Sequence, residues 1–293
     1  MSNSFKASNE QLNTIIKYYQ EHQKEVDTET IFFKASTDDF TVLIYSNLTV
    51  LFQGKKAKEE LAKWIDIPTE KEIDDGYDIL SHIGSDEVGC GDYFGPIVVC
   101  AAYVKDSDCN YLIDIGVKDS KQLNDNKIKE LAEKIKSRIK VASFVLTNKK
   151  YNEIRDGYNL NKIKAYLHNF VLYNLSKNVN FNDKIVVDQF CSEDLYYNYL
   201  RDYKNENIVK NITFKTKAES KYLAVACASI VARDIFINEI EKLKEETGYN
   251  ILLGADSKVD DLARKIYEEK GLDFLKNIVK FHFKNTEKIL KCE

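Results

Sequence analysis

Residues 79–104 read ILSHIGSDEVGCGDYFGPIVVCAAYV, and this stretch decides the fold. Two apolar runs rich in Ile, Val and Tyr flank a glycine-dense polar segment. That pattern predicts two neighbouring strands with the polar segment at their turn. Asp86 and Glu87 stand side by side there, and paired carboxylates in a tight turn are costly unless something cationic satisfies them. Gly84, Gly89, Gly91 and Gly95 permit positive φ and a close approach of backbone to a ligand. In a regular strand adjacent residues face opposite sides, so both acids reach one site only if the strand is distorted or ends there.

Working outward, the amino-terminal side reads as a small unit. Ser8 and Gln11 resemble a capping box ahead of Leu12, Ile15, Ile16 and Tyr19, which predicts a helix over about 9–25. TIFFKAST, DFTVLIYS and LTVLFQG then read as three strands, and KKAKEELAKWI as a second helix. Residues 1–70 are expected to form an antiparallel sheet with helices on one side. The polar stretch 66–78 is expected as a linker, and 79–293 as the larger domain. In that domain strands come first and then alternate with helices, which predicts an α/β fold: a mixed sheet flanked by helices. VASFVLT, KIVVDQF and ITFKTKAES supply further strands, and YLAVACASIVA is apolar nearly all round, as a core helix should be. Lys258 to Ile289 is helical in period.

The chain of 293 residues has a formal net charge of −4, with 44% hydrophobic and 31% charged residues. Such a balance argues against a protein that coats nucleic acid through bulk charge, but leaves room for a local basic groove. No apolar run has membrane-spanning length and the polar start lacks a signal-peptide pattern, so a cytoplasmic protein with no membrane partner is expected. The six cysteines form no CxxC pair or zinc-like cluster and are expected to be reduced, several of them buried.

Four acids stand out by context: Asp86 and Glu87 at the turn, Asp188 closing a strand, and Glu219 opening the buried helix. Carboxylates without His or Cys select hard cations such as Mg²⁺ or Mn²⁺. Two such ions can clamp an in-line phosphoryl displacement. Each acid also has a plainer reading. Asp86 and Glu87 suit a solvated turn, Asp188 a helix cap, and Glu219 a favourable charge at a helix start. Asp234 reads as a surface or pairing residue, and His82, His168 and His282 as isolated structural histidines. Lys118 and Lys121 bracket Asp119 and Ser120 in a loop that is either solvated or phosphate-holding.

Taken together, GSDEVGCGDYFGPIVVCAAYV, VKDSKQL, IVVDQF and TKAES…ACASIVAR, in that order, resemble the type 2 ribonuclease H family over nearly the whole chain. The DYFGP continuation, the fourth acid Glu219, VLFQGKKAKEELAKW and the closing KFHFKNTEKI resemble ribonuclease HIII within it. The resemblance implies a ribonuclease H-like catalytic domain preceded by a TATA-binding-protein-like substrate-binding domain. It implies an endoribonuclease that cleaves the RNA strand of RNA–DNA hybrids with Mg²⁺ or Mn²⁺, leaving 5′-phosphate and 3′-hydroxyl ends, and acting as a monomer. Asp86, Glu87 and Asp188 would ligate metal, with Glu219 completing the catalytic set. Gly89-Cys90-Gly91 would grip the nucleic-acid backbone and sense ribose, and Ser120 and Lys121 would contact substrate. Cys90 departs from the family, which has Arg in ribonuclease HII and usually Thr or Lys in HIII. Lys55, Lys56 and Lys58 would meet phosphates, although a soluble helix face explains them equally well. Two rival functions are ribonuclease HII-like nicking at single ribonucleotides and non-catalytic hybrid binding.

Overall fold

A computed structural model describes residues 4–7, 9–26, 30–65, 76–179 and 182–290. Ser8 of the expected capping box, residues 66–75 of the expected linker, and Cys292 lie outside the described residues. The chain divides into two compact units, Met1–Asp75 and Gly76–Glu293.

The first unit is built from β1 (Ser4–Lys6), α1 (Asn9–Tyr19), β2 (Ile31–Ser36), β3 (Phe40–Tyr45), β4 (Thr49–Gly54) and α2 (Ala57–Ile65). The sheet is antiparallel throughout, in the order β1-β4-β3-β2. Side chains alternate along each strand, so Phe33, Ala35, Val42, Ile44, Val50 and Phe52 share the buried face. Leu12, Ile15 and Tyr19 of α1 and Leu61 and Trp64 of α2 cover it. A buried relay ties the two helices: Trp64 Nε1 donates to the Tyr19 hydroxyl at 2.7 Å, and Tyr19 donates to Glu60 at 2.6 Å. Strand β1 has no counterpart in the sequence reading, because three residues are too few to display alternation. Helix α1 stops at Tyr19 and gives way to a 3-10 turn, shorter than the expected span to residue 25.

The second unit is a five-stranded mixed sheet in the order β7-β6-β5-β8-β9. Its strands are β5 (His82–Val88), β6 (Ile97–Val104), β7 (Lys140–Leu146), β8 (Lys184–Asp188) and β9 (Ile212–Lys215). β7, β6 and β5 pair antiparallel, whereas β5, β8 and β9 run parallel. Both sheet faces are covered, and β6 records this directly. Val98, Cys100, Ala102 and Val104 enter one core, while Ile97, Val99 and Ala101 enter the other. The first core is centred on α8 (Leu223–Thr247), the second on α6 (Leu160–Ser176).

Helix α8 approaches the sheet closely. A methyl group added at Gly84 would lie 2.3 Å from the Val225 nitrogen. Gly84 therefore serves helix packing and not a ligand, contrary to the sequence reading.

The remaining helices are α3 (Asp106–Asp114), α4 (Asp125–Arg138), α5 (Asn148–Arg155), α7 (Glu193–Tyr199), α9 (Ser257–Lys270), α10 (Leu272–Ile278) and α11 (Lys284–Leu290). Several start on a side chain that accepts a backbone N–H of the first turn: Asn124 for α4, Thr147 for α5, Asn159 for α6 and Ser192 for α7. Asp188 is thus not the cap of α7; Ser192 is. No helix among the described residues is long and apolar enough to cross a membrane.

Candidate active site

Asp86 and Glu87 lie inside β5, just ahead of the turn and not within it. Pairing with β6 continues in register through Val88↔Val98, so the strand is undistorted on that side. On its other side β5 pairs with β8 only as far as Ser85↔Val187. One residue further, Asp86 on β5 and Asp188 on β8 stand at the open carboxyl edge of the parallel pair. That edge is where α/β sheets usually place ligand sites. Alternation sends Asp86 toward α8, as it does Gly84, and sends Glu87 toward α6, as it does Ser85. The two acids approach the rim from opposite faces of the sheet, so an ending pair does what the sequence reading required of an ending strand.

Glu219 occupies a 3-10 turn, Ala218–Ser220, between β9 and α8; the helix itself begins four residues later. Asp188 holds this turn in place by accepting the Ala218 N–H at 2.9 Å. Lys217, at φ 53°, makes the left-handed step into it.

Each acid meets a different environment. Asp86 is 8% exposed and accepts the Glu87 N–H at 2.7 Å and a hydrogen bond from Ser229 of α8. Burial and the charge of Glu87 push its carboxyl up to about 8, while the Ser229 bond opposes them. With Ser229 donating to Asp86, the buried Ser120 hydroxyl, 2.8 Å from Ser229, is its donor in turn. Arg233 donates to the Ser120 carbonyl at 2.6 Å, which anchors that loop.

Glu87 is clamped by two residues one turn apart on α6. Lys164 pairs with Oε1, and His168 Nε2 donates to Oε2 at 2.8 Å. The other His168 nitrogen bonds the Ser85 hydroxyl at 2.7 Å, which fixes the ring. Phe190, two residues past Asp188, completes this cluster: its ring stacks on His168 and lies 4.2 Å from the Lys164 ammonium. Burial would raise the Glu87 carboxyl, but the hydrogen bonds and charges of His168 and Lys164 outweigh it and hold the group below its ordinary value.

Asp188 is raised, first by burial and then by Glu219 and Glu87, against the pull of the Ala218 N–H. Glu219 accepts from Lys121 at 2.8 Å on Oε1, whereas its buried Oε2 has no hydrogen-bond partner. Four carboxylates thus gather at one edge with protein cations on only two of them.

Among the described residues, no three His, Cys, Asp or Glu side chains converge tightly enough to cage a metal ion as they stand. The donor set nevertheless fits a hard divalent cation. It is all carboxylate oxygen, one buried oxygen is orphaned, and Asp86 is driven up first by burial and then by the neighbouring Glu87 charge, with no protein cation among the described residues paired to it.

The turn after β5 is built by the chain itself. Gly89 has φ 90°, and a Cβ there would fall 2.2 Å from the Pro96 carbonyl, so glycine is required. Gly91 differs from the reading of it, with no positive φ and open space where a side chain would go. Cys90 is half-buried against the α6 core, and burial pushes its thiol up to about 12, so it is no nucleophile at neutral pH. Lys280, fully buried, donates to the carbonyls of Asp92 and Gly95 at 2.7 and 2.6 Å and braces the turn.

Lys164, Ser229, Arg233 and Lys280 were not among the expected site residues. His168 is not isolated; it touches both Ser85 and Glu87. Asp234, expected at the surface or paired, is buried and paired with Lys136 at 2.9 Å. His82 is structural, as expected: its Nδ1 donates to the Leu80 carbonyl and its Nε2 accepts the Ala224 N–H. The i,i+4 spacing of Lys164 and His168 was visible in IKAYLHNF, but not what the pair faces.

Comparison with known proteins shows the family. The family model described as ribonuclease HII matches residues 83–286, and a domain of unknown function (DUF3378) matches 4–74. Ribonuclease HIII of Enterococcus faecalis is 38% identical, covering 98% of this chain and 97% of its own. Ribonuclease HIII of Lysinibacillus sphaericus is 36% identical, with 94% of each chain covered. Among solved structures, Bst-RNase HIII in complex with Mn²⁺ superposes with TM-score 0.71 at 37% identity, covering 98% of this chain and 97% of that one. Ribonuclease H2 from Pyrococcus horikoshii superposes with TM-score 0.61 at 26% identity over 72% of this chain and 98% of that one.

Proposed function

This chain belongs to the ribonuclease HIII family, a metal-dependent branch of the ribonucleases H, and from that premise we propose a residue-level account of its reaction. It hydrolyses the RNA strand of RNA–DNA hybrids, leaving 5′-phosphate and 3′-hydroxyl ends. The observation that carries the account is the gathering of Asp86, Glu87, Asp188 and Glu219 at the carboxyl edge of β5 and β8, with Glu219 Oε2 buried and unpartnered. Asp86, Glu87 and Asp188 hold Mg²⁺ or Mn²⁺, and Glu219 completes the set. A bound divalent cation supplies Lewis-acid polarisation of the scissile phosphate and a lower pKa for the attacking water.

The protein's own groups do the positioning. His168 and Ser85 orient Glu87, Ser229 orients Asp86, and Asp188 ties its own strand to the Glu219 turn through Ala218. Gly89, Cys90 and Gly91 present backbone to the ribose, where the 2′-hydroxyl distinguishes RNA from DNA. Gly91, with nothing within 4 Å of where a Cβ would stand, leaves room for that approach. Ser120 lies buried against Ser229, so it acts through the loop's shape, while Lys121 extends from that loop to Glu219.

The division into a substrate-binding domain (1–70), a linker (66–78) and a catalytic domain (79–293) is supported by the two compact units. Lys55 and Lys58 are exposed and serve the hybrid's phosphates; Lys56 is engaged by Asp39 at 2.5 Å. The chain is read as acting as a monomer. Five free cysteines among the described residues support a reducing compartment, the cytoplasm.

The test is cleavage of a labelled RNA–DNA hybrid with Mg²⁺, Mn²⁺ or chelator, with single-stranded RNA and duplex DNA as controls. A duplex holding one ribonucleotide distinguishes hybrid cleavage from single-site nicking. Asp188→Asn should abolish cleavage while hybrid binding largely survives; near-normal activity would remove Asp188 from the site.

A further inference from the structure

We propose that Lys164 is an internal competitor for divalent metal at Glu87, and that its ammonium sets how tightly the cation is held. The inference rests on the reading of Glu87 as a ligand. Lys164 is only 11% exposed at its side chain, and its partner Glu87 13%. Its ammonium faces Glu87 Oε1 on one side and the Phe190 ring, 4.2 Å away, on the other. His168 and Ser85 already orient Glu87 through Oε2, so Lys164 is not needed to aim the carboxylate.

Stability does not account for it either. A buried ion pair loses in desolvation much of what it gains in attraction, and apolar groups of the same shape often replace it without loss. What Lys164 does supply is one positive charge held against Glu87, one of the four site carboxylates. A dication bound by Glu87 meets this charge at short range in a medium of low dielectric, where repulsion is weakly screened. It must also share Oε1 with the ammonium or displace it. Lys121 offers a contrast on the same site: it pairs with Glu219, but its side chain is 78% exposed, and water screens its charge.

The experiment measures Mn²⁺ binding to the full chain by the electron paramagnetic resonance signal of free Mn²⁺, checked by calorimetry. Lys164→Met keeps an apolar stem on Phe190 and removes the charge. We expect it to bind Mn²⁺ about tenfold more tightly than the parent, or about 1.4 kcal/mol. Lys121→Met should change the affinity by less. Asp86→Asn serves as the control for the metal site. If Asp86→Asn weakens binding while Lys164→Met leaves it unchanged or weaker, the competitor role is refuted and the metal site stands. If Asp86→Asn has no effect, the metal-site reading falls and this inference with it. Should Lys164→Met fail to fold, as judged by circular dichroism without metal, Lys164→Gln keeps a hydrogen bond to Glu87 without charge and is read by the same criterion.

Discussion

His168→Ala should damage both the stability and the chemistry of this protein, and by separable amounts. The imidazole is wholly buried, accepts or donates one hydrogen bond to Ser85 at 2.7 Å, and donates one to the Glu87 carboxylate at 2.8 Å. Losing a hydrogen bond to a charged group costs about 1.5–3 kcal/mol, and leaving the Ser85 hydroxyl unsatisfied about 1–3 kcal/mol. The vacated ring also removes contact with Phe190 and opens a void. These losses share partners and do not add, so about 4 kcal/mol is expected. That is a large part of the roughly 5–15 kcal/mol available to a typical domain.

Urea denaturation followed by circular dichroism reads the stability loss. Hybrid cleavage at saturating Mg²⁺, scaled to the folded fraction, reads the chemical one. A group that orients a ligand from behind typically controls about 10–100-fold in activity or metal affinity, and a drop in that range is expected. His168→Gln keeps a donor and should recover part of both. A stability change below about 1 kcal/mol would refute the account of the buried network. Unaltered cleavage per folded molecule would show that Glu87 does not depend on His168.

Two further outcomes follow from the packing. Gly84→Ala sets a methyl group against the α8 backbone at Val225, which cannot yield as a side chain would; a loss of about 3 kcal/mol is expected in the same denaturation assay. His82 is held neutral, its pKa lowered chiefly by burial, and in that form it donates to Leu80 and accepts from Ala224. Because the unfolded chain takes up this proton and the folded chain resists it, the stability His82 provides is intact above about pH 6.5 and falls below it. The slope approaches about 1.4 kcal/mol per pH unit. Thermal midpoints between pH 7 and 5 should decline more steeply for the parent than for His82→Asn, and parallel declines would contradict this.

Much of the fold was legible. Strands β2 to β6, helix α6 and the all-apolar start of α8 each announce themselves by period, because side chains on one face must match the core they meet. The short elements were not. β1 is three residues long, and α3 and α5 lie in polar segments: α5 starts on its Thr147 cap, while Lys105 ahead of α3 makes no side-chain cap and that helix is held by the burial of Cys109 and Leu112. The glycines were legible as glycines but not in purpose: Gly84 makes room for a helix, Gly89 takes a left-handed turn, and Gly91 does neither.

For the site, the sequence by itself determined which acids stand out, in what order, and that oxygen donors without His or Cys suit a hard cation. Only the tertiary structure decided which partner each acid receives. Alternation along β5 turns Asp86 toward Ser229 and Glu87 toward Lys164 and His168, groups that lie far along the chain; His168 is 81 residues from Glu87. Sequence periodicity reports the face a residue shares with its near neighbours. The charge opposite it is set by which helix is packed on that face, and that is a property of the assembled sheet.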